Sequence, residues 1–131
     1  MSTNSENSKN SETWQRVIAL KEIPNGGFKC LDVADEHLLL CRVHGDAYAV
    51  INKCPHLGLP LDHAVMFDHE IVCPHHNACF DVRSGKPQSG PSIYPLGGYP
   101  CRVVDGEVEV DMANPDTSMN RYMRLFNAAI V

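Results

Sequence analysis

The chain has 131 residues, 21 % of them charged and 44 % hydrophobic, with a formal charge of −5, which suits one compact soluble domain and leaves too little chain for an ordinary two-domain enzyme. The acidic balance excludes a basic groove for nucleic acid. No apolar run approaches the roughly 18 to 20 residues that span a bilayer, since Leu38-Leu39-Leu40-Cys41 stops at Arg42, so no membrane anchor is expected.

Residues 1–12 are rich in Ser and Asn and have no apolar core. They read as a disordered leader rather than a secretory signal, which makes the cytoplasm the expected location. In a reducing compartment, metal binding accounts for clustered cysteines among the six present more readily than disulfides do.

Residues 13–112 form the expected domain, with short apolar runs broken by turn residues, the signature of an all-β fold. Trp14 opens the first strand, where a lone aromatic anchors the edge of a core. Phe28-Lys29-Cys30-Leu31-Asp32-Val33 predicts a strand, Ala34-Asp35-Glu36 a turn, and residues 37–43 and 47–51 two further strands around Gly45-Asp46. Glu70-Ile71-Val72 predicts a short strand after a turn at Asp68-His69, and residues 78–82 another. Residues 100–104 and 107–110 predict a hairpin around Asp105-Gly106, the clearest turn in the sequence. After that the pattern changes. Asn114-Pro115-Asp116-Thr117 resembles a breaker and cap, and Met119, Tyr122, Met123, Phe126 and Ile130 recur at helical spacing, so residues 113–131 predict a tail with a short amphipathic helix.

The informative segment is Cys54-Pro55-His56-Leu57-Gly58, sixteen residues after His56, and then Cys73-Pro74-His75-His76. Two Cys-His pairs each follow a strand and sit in a loop with proline, which fixes φ and donates no N–H, so the side chains can converge without continuing a ladder. Two thiolates and two imidazoles suit an iron-sulfur cluster or zinc. Cys-x-His is an awkward local pair for tetrahedral zinc, which favours iron-sulfur.

The pattern Cys-x-His, a gap of sixteen, then Cys-x-x-His resembles the Rieske family. The resemblance implies an antiparallel β-sandwich with a small cluster-binding subdomain built from residues 54–59 and 73–80. It also implies one 2Fe-2S cluster, with Cys54 and Cys73 on one iron and His56 and His76 on the other. Gly90-Pro91 resembles the third, proline-containing loop that covers the cluster. Asn77 departs from the glycine common after the second histidine, but Asn tolerates φ > 0.

Two imidazoles in place of two thiolates remove two negative charges and raise the potential relative to all-cysteine clusters. The oxidised core is then formally neutral and the reduced one singly negative, which suits reversible one-electron transfer in a partly buried site. In the respiratory members of the family an extra cysteine in each loop forms a disulfide; here those positions resemble Leu59 and His75. A serine and a tyrosine that donate hydrogen bonds there resemble Ala78 and Phe80 here. Their absence implies a potential nearer the −150 mV end than the +300 mV end of the approximate range known for Rieske centres.

The chain therefore resembles the small Rieske ferredoxins of ring-hydroxylating oxygenase systems. A flavin-dependent or ferredoxin-type reductase and a terminal oxygenase are the implied partners, and no catalytic residue is expected, because a second domain for a mononuclear iron does not fit in this length. A redox-sensing or structural binding module of a larger reductase complex is the alternative. Cys30, Cys41, Cys79 and Cys101 are expected to behave as small core hydrophobes, and His37, His44, His63 and His69 as solvated side chains. His75 is expected off the cluster. The acidic excess, including Asp32, Asp35, Glu36, Asp105, Glu107, Glu109 and Asp111, either steers a basic partner or forms an ordinary solvated surface.

Overall fold

A computed structural model describes residues 13–55, 58–74, 77–90 and 94–115. Residues 1–12 and the expected helical positions of the tail lie outside them, as do His56, His75, His76 and Pro91. The strands among the described residues form three antiparallel sheets. The first joins β1 (Trp14–Ala19), β11 (Glu107–Asp111) and β10 (Cys101–Val104). The second orders β2 (Phe28–Val33), β3 (Glu36–Val43), β4 (Asp46–Ile51) and β9 (Gly98–Tyr99). The third orders β5 (Val65–Phe67), β6 (Glu70–Val72), β7 (Cys79–Asp81) and β8 (Pro87–Ser89).

The second sheet is the middle layer, and β3 shows why. Successive side chains of a strand point to opposite faces. Leu38 and Leu40 pack with Ile23, Val108 and Val110 against the first sheet, while Leu39 and Cys41 pack with Leu61, Ile71 and Phe80 against the third. The unbroken run Leu38-Leu39-Leu40-Cys41 is therefore buried on both faces, with all four residues at 0 % exposure. Truncating one of these leucines to alanine costs about 2 to 5 kcal/mol.

Turn chemistry sets the register. Val104 pairs with Glu107 across Asp105 (φ 51°) and Gly106 (φ 78°), two consecutive left-handed residues that match the twist of the flanking strands. Val33 pairs with Glu36 across Ala34 (φ 51°) and Asp35 (φ 66°), so Glu36 belongs to β3 rather than to the expected turn. The strand expected over 78–82 is shorter, Cys79–Asp81. β5, β8 and β9 were not read from the sequence; β8 and β9 begin with Pro87 and Gly98, residues that ordinarily mark turns rather than strands.

Trp14, expected to anchor the core edge, is half-buried and instead stacks with Arg102, whose guanidinium lies 4.2 Å from its ring centroid and whose Nε donates to Glu109 at 2.8 Å. Three further side-chain expectations fail. Cys30 is exposed, because it lies on β2 at the sheet edge. His69 is half-buried, edge-on to Tyr48 with ring centroids 5.8 Å apart. Asp111 is 7 % exposed and not on the solvated surface; its carboxylate accepts the Ala113 N–H at 3.2 Å and the Asn114 amide at 2.8 Å.

Candidate metal centre

Both cysteines of the motif stand just after a strand, at the start of a loop. The Cys54 N–H donates to the Leu59 carbonyl at 2.7 Å, and the Gly58 N–H returns to the Cys54 carbonyl at 2.6 Å. In the second loop the Cys73 N–H donates to the Ala78 carbonyl at 2.7 Å, and the Asn77 N–H returns to the Cys73 carbonyl at 2.9 Å. The spacing of these bonds is identical in the two loops. Each loop also turns through a left-handed residue four places after its cysteine, Gly58 at φ 73° and Asn77 at φ 61°. The two loops are thus copies of one backbone device, and Asn77 adopts the positive φ that the sequence required of it.

The device brings both sulfurs into one apolar cluster. Cys54 is 2 % and Cys73 1 % exposed, and both pack with Leu39, Ile71, Phe80 and Leu96. Thiolates in such a dry environment are costly unless a metal centre takes up their charge, so the donor set fits an iron-sulfur cluster. Among the described residues no three His, Cys, Asp or Glu side chains converge as a metal site; His56 and His76, the histidines expected as ligands, lie outside those residues. Ala78 and Phe80, each 0 % exposed, line this region without a hydroxyl.

Each loop has its own brace. Across the first, Asn52 Oδ1 accepts the Leu61 N–H and its Nδ2 donates to Asp62 at 2.6 Å, linking the residues on either side of the loop. Against the second lies Gly90 (φ 94°), where a Cβ would stand 2.6 Å from Ala78 Cα and 2.9 Å from the Asn77 carbonyl oxygen. The glycine of Gly90-Pro91 is therefore held against the second loop. Asn52 was missed in the sequence, because an asparagine after a strand is an ordinary turn residue and its partners emerge only on folding.

Cys79 is buried as expected but is not a plain hydrophobe. Its thiol donates to Glu70 at 3.1 Å. Burial, reinforced by that carboxylate, pushes the thiol up to about 11. Cys101 is pushed up to about 12, chiefly by burial. Both stay protonated at physiological pH. His37 pairs with Asp32 on the exposed face of β2 and β3, and that hydrogen bond raises its pKa.

Comparison with known proteins agrees with this geometry. Residues 13–100 match the Rieske [2Fe-2S] domain. The chain is 31 % identical over 103 residues to the ferredoxin component of a naphthalene 1,2-dioxygenase system from Pseudomonas aeruginosa, covering 79 % of this chain and 99 % of that one. Among solved structures, the ferredoxin of carbazole 1,9a-dioxygenase from Nocardioides aromaticivorans IC177 superposes with a TM-score of 0.70 at 33 % identity, over 75 % of this chain and 96 % of that one. A ferredoxin-sized chain in a complex of reduced oxygenase and oxidized ferredoxin in carbazole 1,9a-dioxygenase gives 0.69 at 31 %, over 76 % and 93 %. The twin loops, the dry pair of sulfurs and the matched residues make one case, and this chain belongs to the Rieske [2Fe-2S] family and carries one cluster of that type.

Proposed function

We propose that this chain is a one-electron carrier that accepts an electron from a flavin-dependent or ferredoxin-type reductase and delivers it to a terminal oxygenase. In this reading Cys54 and Cys73 hold one iron of the cluster, and His56 and His76 hold the other. The observation that carries it is the near-complete length match to stand-alone ferredoxin components, which favours a carrier over a sensor or a structural module. The chain is not an enzyme in its own right.

The cluster supplies a reversible one-electron couple; the chain supplies the ligands, a dry setting and the loop geometry. Burial at Cys54 and Cys73 excludes water from the thiolate side. The apolar side chains at Ala78 and Phe80 donate no hydrogen bond to stabilise the added negative charge, which keeps the potential at the low end of the Rieske range. Among the described residues no helix is long and apolar enough to cross a membrane, and we place the carrier in the cytoplasm.

The test is electron paramagnetic resonance of the dithionite-reduced protein, with visible absorption and a redox titration on the same sample. A rhombic signal with an average g value below that of all-cysteine clusters, and a low potential, is the expected result. His56→Cys should abolish that spectrum. A variant that kept it would overturn the ligand assignment, and a colourless wild-type protein holding zinc or no metal would overturn the carrier.

A further inference from the structure

The cluster-bearing sheet presents an apolar patch that neither the core nor the cluster uses. Four large apolar residues are exposed among the described residues, and two of them, Val65 at 52 % and Phe67 at 65 %, belong to the three-residue strand β5. Because they are two positions apart they share one face, while Met66 between them turns inward and packs on the apolar cluster around Cys54 and Cys73. Directly opposite partners in an antiparallel pair also share a face. Val65 lies opposite Val72 and Phe67 opposite Glu70, so Val72 extends the patch across β6. The residue after Val72 is Cys73. The patch thus begins one residue from a cysteine of the cluster, in reach of a partner that must approach the cluster to exchange an electron.

Charge selects what covers it. Asp68 follows Phe67 in the chain, Glu70 lies opposite it and Asp81 lies opposite Glu70, while the cation on this side, Arg83, is neutralised by Asp81 at 2.8 Å. A second copy of this chain would bring carboxylates against carboxylates, which is repulsive, whereas a face with an apolar centre ringed by lysine and arginine would be complementary. Aromatic side chains seated in a partner's pocket carry a disproportionate share of binding energy, and acidic rims speed encounter with a basic surface.

We propose that the outward face of β5, centred on Phe67 and Val65 and rimmed by Asp68 and Glu70, is a docking surface for a basic face of the terminal oxygenase. The inference rests on the carrier reading above. It commits to the acceptor rather than the donor because a similar chain is solved in a complex of oxygenase and ferredoxin. Docking moves one electron and no atoms: the reduced carrier is oxidised and the oxygenase centre reduced by the same electron.

The experiment mixes dithionite-reduced, desalted holoprotein with oxidised terminal oxygenase in a stopped-flow instrument. The oxygenase used is the one from the same cells that accepts electrons from the wild-type carrier. Phe67→Ser should lower the second-order rate constant by about tenfold or more, and Asp68→Lys should lower it at low salt and flatten its fall with ionic strength. Val65→Thr, which keeps a β-branched side chain in the strand, should give a smaller loss and guards against misfolding of the serine variant. Potential, visible spectrum and paramagnetic signal should match wild type in all three. Unchanged rate constants in variants with intact clusters would overturn the docking surface alone, as would a loss confined to the reaction with the reductase. A wild-type carrier that reduces no oxygenase would overturn the carrier reading instead.

Discussion

The two cluster loops share a backbone and differ in everything placed around it. Both close with the same pair of hydrogen bonds from cysteine to the fifth residue on and from the fourth residue back. The first uses glycine at its left-handed position and is braced by the Asn52 side chain across its base. The second uses asparagine there and is braced by the close approach of Gly90. A loop tied at its base by an amide can tolerate change above it. A loop with a neighbouring backbone pressed on its Ala78 cannot, so the two should respond differently to similar substitutions.

The largest difference should come from Gly90→Ala. The added Cβ would stand 2.6 Å from Ala78 Cα, a backbone atom with no flexible end to move aside, and φ 94° is itself unfavourable for alanine. Strain and overpacking together should cost about 2 to 4 kcal/mol. The cluster should be lost faster and at lower temperature, followed by the bleaching of its visible absorption on heating. Gly58→Ala meets nothing within 4 Å and should cost only the left-handed penalty, about 1 to 2 kcal/mol. Equal losses in the two variants would break the distinction between the loops.

A pH titration sharpens the same contrast, because the thiol of Cys79, which follows the second loop, is bonded to a carboxylate. Cys79 is bonded to Glu70 and held up to about 11, against 9.0 for the free group. A raised thiol pKa means that the folded state favours the protonated form, so this contribution to stability is complete below about pH 9 and is lost as pH rises toward about 11. Denaturant midpoints measured across that window should fall, and Cys79→Ala should remove the part of the fall that belongs to this group. Cys101, pushed up to about 12 in the first sheet, begins to lose its share above the same pH of about 9 but goes on losing it after the Cys79 contribution is exhausted, so only the fall above about pH 11 belongs to Cys101 alone.

The sequence and the structure agree where one signal suffices and part where several distant residues must meet. The run through Leu38 to Cys41 was legible as a strand, and its double burial explains why it is apolar without alternation. Asp105-Gly106 declared its turn because two left-handed residues in succession demand that chemistry. Cys54 and Cys73 stand at loop starts, as the motif spacing implied. Asn52 was invisible because its partners Leu61 and Asp62 lie beyond the loop. His69 was misjudged because Tyr48, which covers it, comes from a different sheet. The equivalence of Gly58 and Asn77 likewise emerges only when the two hydrogen-bond patterns are compared.

That equivalence supports the finest test. If the loops are the same device, the residue at the left-handed position should be exchangeable between them at small and opposite cost. Glycine reaches positive φ with no Cβ penalty, and asparagine reaches it better than other side chains do. Asn77→Gly should therefore change stability by no more than about 0.5 kcal/mol, since relief of the Cβ offsets the greater freedom of the unfolded chain. Gly58→Asn should cost less than Gly58→Ala at the same site. Chemical denaturation of the holoprotein, with cluster absorption and tryptophan fluorescence recorded together, reads all three. A loss at Asn77→Gly as large as that at Gly90→Ala would mean that the asparagine side chain, and not merely its backbone conformation, holds the second loop; the two loops would then share a shape without sharing a physical basis.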